Sequence, residues 1–161
     1  MKPATLISLT VNDEKVSEYV EPRMLAADFL RETLSLTGTH VGCEHGVCGA
    51  CTISINGVTV RSCLTFAVQL DGAEVTTVEG LGDVTELGDI QQAFRRHHAL
   101  QCGFCTPGML MTVREMLATQ KLETDDEIRD GLSGNLCRCT GYEHIVRAVR
   151  ELADNRNEVP K

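Results

Sequence analysis

Several residue types and patterns are scarce in this chain of 161 residues. It has no tryptophan, and aromatic residues make up only 4% of it. It also lacks an apolar run of about 18 residues, the shortest that is read as a membrane-spanning helix. The sequence therefore predicts no membrane span, and it offers few aromatic rings on which nucleic-acid bases could stack.

A basic surface is missing as well. The chain has 23 acidic and 15 basic residues, a formal net charge of −8, and no basic run. Since phosphate binding requires a positive stripe, nucleic acid is not expected as a partner. The N-terminal segment MKPATLISLTVND has no apolar signal-peptide core and no small-residue cleavage site. We therefore expect a cytoplasmic protein, in whose reducing compartment structural disulfides do not persist.

Cysteine, in contrast, is plentiful and regularly spaced. The 8 cysteines form two quartets, C-x4-C-x2-C-x11-C and C-x2-C-x31-C-x1-C, with none left over. The quartets consist of Cys43, Cys48, Cys51 and Cys63, and of Cys102, Cys105, Cys137 and Cys139. The first spacing is that of plant-type ferredoxins, whose four thiolates hold a 2Fe-2S cluster. We predict two four-thiolate 2Fe-2S clusters, and hence a protein that conducts electrons and has no catalytic residues of its own.

The loop of the first quartet, GCEHGVCGAC at residues 42–51, is rich in glycine. Gly42, Gly46 and Gly49 permit positive φ angles and a close approach of the backbone to a cluster. Backbone N–H groups can then point at the cluster sulfurs, and such hydrogen bonds help to set the reduction potential.

Other uses of these cysteines remain open at the level of single motifs. Zinc ribbons combine two C-x2-C pairs about 15–20 residues apart, whereas 50 residues separate the two pairs here. A zinc-stapled interaction module, colourless and redox-silent, stays an alternative. Cys43 and His45 form half of a Rieske pattern, but the C-x2-H half is absent. We expect His45 to be a loop residue near the cluster.

The first half of the chain has a β-rich pattern with one helical segment. A strong hairpin signal is Asn56-Gly57 between two short apolar runs. The expected strands lie at residues 6–11, 16–20, 52–55, 58–61 and 74–78, and a short amphipathic helix is expected at 28–34. This element order predicts a plant-ferredoxin-like β-grasp domain over residues 1–80.

Beyond the glycine- and acid-rich segment 79–88 the apolar residues follow a helical period. Helices are expected around residues 90–97, from Pro107, after a capping box at Thr124–Glu127, and around residues 145–152. Each cysteine pair of the second quartet precedes one of these helices, where N–H groups and the helix dipole stabilise thiolates. The sequence thus predicts an all-α four-helix domain over residues 81–161 and an α+β chain.

Three segments, GCEHGVCGAC, QCGFCTPGM at 101–109 and GNLCRCTGY at 134–142, closely resemble a known family. It is the iron-sulfur small subunit of the molybdenum hydroxylases, which include xanthine dehydrogenase, aldehyde oxidase and aerobic carbon monoxide dehydrogenase. The resemblance covers nearly the whole chain and implies the two domains described above, each with one 2Fe-2S cluster. It also implies a large subunit that binds molybdopterin in a dinucleotide form, a medium subunit that binds FAD, and a dimer of heterotrimers.

The same resemblance implies a direction for the electrons, from molybdenum through the helical-domain cluster to the ferredoxin-like cluster and then to FAD. Gln101 matches a position that contacts the pterin, and Cys139 matches the ligand closest to it. Without the resemblance, Gln101 could be a helix-end amide that is satisfied within its own domain. The holoenzyme substrate stays open among N-heterocycles, aldehydes, aromatic thioesters and carbon monoxide. A free-standing two-cluster ferredoxin that diffuses between partners is the alternative function.

Overall fold

The computed structural model describes residues 4–83 and 85–158 of the chain. Part of three sequence predictions therefore lies outside the described residues: the first three residues of the N-terminal segment, Val84 in the segment 79–88, and the last three residues of the helical half.

Within the described residues, a five-stranded mixed sheet makes up the first half of the chain. Its strands are β1 (Thr5–Val11), β2 (Glu14–Val20), β3 (Thr52–Ile55), β4 (Val58–Arg61) and β5 (Glu74–Thr76). The strand order is β2-β1-β5-β3-β4, and β1 and β5 run parallel while the other neighbours run antiparallel. This is the β-grasp arrangement that the sequence predicts.

The two hairpins of this sheet form where the turn residues indicate. Asn12 and Asp13 connect β1 to β2, and Asn56 and Gly57 connect β3 to β4, all with positive φ angles of 48° to 85°. Two-residue turns with both φ angles positive match the right-handed twist of the flanking strands. The last strand is shorter than predicted, because the Thr77 N–H bonds to the Asn12 side chain and a 3-10 turn begins at Val78.

The helix expected at residues 28–34 differs from the prediction. Helix α1 (Ala26–Asp28) begins two residues earlier and continues as a π-helical turn, Phe29–Thr33. The N–H of Leu34 bonds to the carbonyl oxygen of Phe29 at 3.1 Å, five residues back. Apolar periodicity could not distinguish this turn from an α-turn, since both place Phe29 and Leu30 in the core of the sheet domain.

The second half is helical in the part of the chain that the structure describes. Its elements are α2 (Asp89–Arg96), α3 (Thr106–Thr119), α4 (Asp125–Leu132) and α5 (Glu143–Glu158). The predicted start signals are used: Pro107 lies in the first turn of α3, and Thr124 and Glu127 form a reciprocal capping box at α4. A separate core forms around Phe94, Met109 and Ile145, all almost fully buried.

The two halves meet at the cysteine loops. Helix α3 packs against β3, and Gly108 at its start touches the loop of the first quartet. A Cβ atom on Gly108 would lie only 2.2 Å from the carbonyl oxygen of Gly49. Glycine is therefore required where these backbones approach each other.

Candidate metal centres

The sheet domain brings the first quartet together from two elements. Cys43, Cys48 and Cys51 lie on the loop between the π-helical turn and β3, and Cys63 lies in the 3-10 turn Ser62–Leu64 after β4. Because β3 and β4 pair as a hairpin, Ser62 directly after β4 lies next to Cys51 directly before β3. Both the N–H and the hydroxyl of Ser62 donate to the carbonyl oxygen of Cys51, at 3.2 and 2.8 Å.

Backbone amides of this loop point at sulfur. The N–H of Cys48 lies 3.4 Å from Cys43 Sγ. This N–H and that of His45 lower the pKa of the Cys43 thiol to about 6. Burial and the neighbouring Cys51 raise the pKa of Cys63 to about 11, although the Gly46 N–H acts in the opposite direction. The loop thus offers donors to sulfur. Of its three glycines, Gly46 and Gly49 adopt positive φ angles of 84° and 75°, whereas Gly42 does not.

Residue His45 lies on the loop of the first quartet. Its Nδ1 is hydrogen-bonded to the backbone carbonyl oxygen of Cys43, two residues away. One ring nitrogen is therefore engaged inside the loop, in agreement with the expectation of a loop residue.

The second quartet forms from the two loops that precede α3 and α5. Cys102 and Cys105 lie on either side of Gly103, whose φ is +81°, and Cys137 and Cys139 lie on the α4–α5 loop. The Sγ atoms of Cys102 and Cys139 are 3.5 Å apart. Both cysteines are exposed, whereas Cys105 and Cys137 are partly buried.

Local groups also shift the pKa values of this quartet. Burial and the adjacent Cys137 raise the pKa of Cys105 to about 12. Burial acts against ionisation of Cys137 too, but hydrogen bonds from the Thr140 hydroxyl and backbone leave its pKa lowered. The N–H of Phe104 lowers the pKa of Cys102. Metal binding favours the thiolate form of all such cysteines, because the cation shares their charge.

The sulfur atoms meet in pairs. The Sγ atoms of Cys102 and Cys139 lie 3.5 Å apart. The pKa of Cys43 responds to the Cys48 thiol, that of Cys63 to the Cys51 thiol, and that of Cys105 to the Cys137 thiol. In the described residues, no group of three or more His, Cys, Asp or Glu side chains is arranged to hold a single metal ion. Two sulfur pairs per quartet suit the two iron atoms of a 2Fe-2S cluster with four cysteine ligands. The residues therefore fit such clusters, which supply one-electron redox chemistry when bound.

The residues next to the outer sulfurs are open to solvent. Gln101 and Arg138 are exposed, and each adjoins an exposed cysteine, Cys102 and Cys139. Within the described residues no hydrogen-bond partner holds the Gln101 amide.

Three residues that the sequence patterns did not single out support the cysteine loops. The Tyr142 hydroxyl accepts a hydrogen bond from the N–H of Cys137, and the buried Asn135 side chain reaches the first cysteine loop. The ring of Phe104 stacks on His40 with a centroid separation of 5.0 Å, and the two residues share a hydrogen bond. Phe104, Asn135 and Tyr142 all lie inside the three sequence segments that resemble the family, and this was the available signal.

Two family descriptions match successive parts of the chain. "2Fe-2S iron-sulfur cluster binding domain" matches residues 29–92, and "[2Fe-2S] binding domain" matches residues 77–150. Together they cover both cysteine quartets. In the described residues, no helix has the length and apolar character needed to cross a membrane.

Known proteins resemble the chain over most of its length. It is 54% identical to caffeine dehydrogenase subunit gamma of Pseudomonas sp. (strain CBB1) over 151 residues, 92% of this chain and 90% of that protein. It is 54% identical to the nicotine 6-hydroxylase small subunit of Paenarthrobacter nicotinovorans, with 89% and 86% covered. A chain of quinoline 2-oxidoreductase from Pseudomonas putida 86 superposes with a TM-score of 0.88 at 55% identity, with 97% and 99% covered.

The fold and the two quartets define a two-domain protein of the 2Fe-2S class. With these relatives, the chain belongs to the iron-sulfur small subunits of the molybdenum hydroxylases. It is thus the iron-sulfur subunit of a multi-subunit oxidoreductase.

Proposed function

We propose that this subunit carries electrons from a molybdopterin site through two 2Fe-2S clusters to an FAD-binding subunit. The main support is that the thiols of each quartet lie in two pairs. The loops that carry the two quartets are also in direct contact. Each cluster, when bound, accepts and releases one electron at a time. Two such centres in series convert a two-electron oxidation into single-electron steps.

The cysteine ligands divide between the clusters by domain. Cys43, Cys48, Cys51 and Cys63 hold the ferredoxin-like cluster on the flavin side. Cys102, Cys105, Cys137 and Cys139 hold the helical-domain cluster on the molybdenum side. We propose that the boundary between the two domains lies between residues 80 and 81.

The exposed end of the second quartet is the proposed contact with molybdopterin. Gln101 offers an unpaired amide there, and Cys139 is the ligand at the surface beside it. An amide provides both donors and an acceptor, which suits a heteroaromatic edge such as that of a pterin. Burial of these groups against a large subunit would remove water from the electron path.

The exposed end of the first quartet is the proposed contact with the flavin subunit. Cys43 and Cys48 are only partly buried, and Val47 and Leu64 beside them are each 59% exposed. Apolar side chains around a charged centre can exclude water when a partner covers them. Leu64 packs over Gly46, so that this apolar surface adjoins the cysteine loop itself.

The assembly is proposed to contain a large molybdopterin subunit, a medium FAD subunit and this chain, paired as a dimer of heterotrimers in the cytoplasm. The substrate class is proposed to be an N-heterocycle. Caffeine, nicotine and quinoline, for which the three relatives above are named, all contain ring nitrogen.

Native purification tests this proposal. The complex should contain two further chains, molybdenum, FAD, and four iron and four acid-labile sulfide per copy of this chain, and an N-heterocycle should reduce it. Isolation of the chain alone with both clusters intact would favour a diffusible ferredoxin instead. Zinc in place of iron would overturn the electron-transfer function.

A further inference from the structure

A short segment of the α4–α5 loop, Gly134–Leu136, is bonded to the sheet domain at three consecutive residues. The Gly134 carbonyl oxygen accepts a hydrogen bond from Arg61 Nη2 at 2.6 Å. Asn135 Nδ2 donates to the carbonyl oxygen of Gly49 at 3.0 Å, and the Leu136 N–H donates to the carbonyl oxygen of Cys48 at 2.9 Å. The segment immediately before Cys137 is therefore fastened to the loop that carries Cys48.

Asn135 is the buried centre of this attachment, with 1% of its surface exposed. Its Oδ1 accepts from the Thr112 hydroxyl at 2.9 Å, within the helical domain, while its amide nitrogen reaches into the sheet domain. A buried amide that lost these partners would keep the full cost of its desolvation. The side chain therefore favours one arrangement of the two domains.

Arg61 adds a second side chain to the attachment. From the end of β4, its Nη1 donates to Thr52 Oγ1 at 2.5 Å and its Nη2 donates to Gly134. The planar guanidinium group fixes the geometry of both hydrogen bonds. Arg61 thus connects the α4–α5 loop to the β3–β4 hairpin. Cys51 directly precedes this hairpin, and Cys63 lies two residues after it.

The junction has no spare room. A Cβ atom on Gly49, whose φ is +75°, would lie 2.5 Å from the Gly134 carbonyl oxygen. Backbone contact on one side and directional hydrogen bonds on the other leave the two loops little freedom to slide.

We propose that Asn135 and Arg61 are positioning residues that fix the separation and orientation of the two cysteine quartets. This inference rests on the proposed function. Gly49 lies between Cys48 and Cys51, and Asn135 lies two residues before Cys137, so that any shift at this junction moves ligands of both clusters. Since electron tunnelling weakens steeply with distance, the junction controls transfer between the clusters without touching either one.

Asn135→Leu tests the inference, because it keeps the buried volume and removes the amide. Thr112→Val is the matched control, since it removes the hydrogen bond within the helical domain and keeps the amide donor to Gly49. The measurement is the magnetic interaction between the two reduced clusters in the purified complex, read by electron paramagnetic resonance. We expect Asn135→Leu to weaken or abolish this interaction at unchanged iron content, and Thr112→Val to retain it.

Arg61→Gln provides a second, independent variant at a partly exposed position. It should also weaken the magnetic interaction while each cluster keeps its own signal. If Asn135→Leu loses iron, Arg61→Gln tests whether the junction positions the two clusters. Wild-type coupling in an iron-replete variant of either residue would overturn its positioning role. A wild-type complex without two 2Fe-2S signals would instead overturn the proposed function.

Discussion

The Tyr142 hydroxyl bridges two backbone groups of the second cysteine loop. It accepts a hydrogen bond from the N–H of Cys137 at 2.9 Å and donates one to the carbonyl oxygen of Asn135 at 3.1 Å. Tyr142 adopts a φ of 67°, a left-handed conformation that is uncommon for a bulky side chain. Its hydroxyl closes the loop from Asn135 to the start of α5.

Replacing this tyrosine by phenylalanine should destabilise the second cysteine loop. Tyr142→Phe removes both hydrogen bonds and should lower the free energy of unfolding by roughly 1–3 kcal/mol. Chelators should then remove iron faster from the helical domain than from the sheet domain. Equilibrium unfolding measures the loss of stability, and the time course of the two cluster signals measures the rates at which iron is removed. Tyr19→Phe, at a side chain that is 69% exposed, is the control, and equal behaviour of the two variants would contradict the role of Tyr142.

Loss of one cysteine should remove one cluster. Cys105→Ser should abolish the cluster proposed for the molybdenum side and electron flow, because its partly buried thiol adjoins Cys137, while the sheet domain, which has a core of its own, stays folded. Iron and sulfide should fall to half, and one of two paramagnetic signals should remain. Cys51→Ser is the mirror-image variant and should remove the other signal. Retention of both clusters in Cys105→Ser would contradict the ligand assignment.

The exposed amide beside the second quartet should matter only within the complex. Gln101→Ala should leave both clusters intact, because the amide has no local contact to lose, and it should weaken association with the molybdopterin subunit. Co-purification yield and turnover of the complex measure the effect. Gln120→Ala, at an exposed position just after α3, is the control. Unchanged assembly and turnover in Gln101→Ala would refute the contact.

An ion-pair cluster between α2 and α5 should make the helical domain sensitive to acid. Arg96 and His97 donate to the Glu151 carboxylate and lower its pKa below the ordinary value of 4.5. The stabilisation is present above the ordinary pKa and is lost as pH falls through the lowered one. Glu151→Gln should cost less than about 1 kcal/mol near neutral pH. The difference from wild type should vanish in acid.

Hydrogen-exchange protection of the α5 amides, corrected for the intrinsic pH dependence, measures this difference. Glu14→Gln, on the edge strand β2, is the control. A difference that persists in acid would show that Glu151 acts through packing and not through its charge.

Local signals in the sequence predicted much of the fold. Asn56-Gly57 determined a hairpin because few residues adopt two successive positive φ angles. The Thr124–Glu127 box fixed the start of α4, since it satisfies N–H groups that the helix leaves free. The cysteine spacings predicted which four cysteines serve each cluster, and that ligand assignment stays a prediction.

Contacts between distant segments could not be predicted in the same way. The hydrogen bond from Asn135 to Gly49 spans 86 positions of the sequence, and asparagine in a loop has many other local uses. The π-helical turn after α1 was hidden for a different reason. Its apolar residues occupy the positions that an α-helix would also bury.

The most direct test of the account is low-temperature electron paramagnetic resonance of the natively purified complex, frozen shortly after addition of an N-heterocyclic substrate. We predict two distinct 2Fe-2S signals, both reduced by substrate, in a sample that also contains molybdenum and FAD. The same sample made with Cys105→Ser should keep the ferredoxin-like cluster oxidised. Substrate reduction of that cluster in the variant, or a wild-type chain with a single signal, would contradict a path through both clusters.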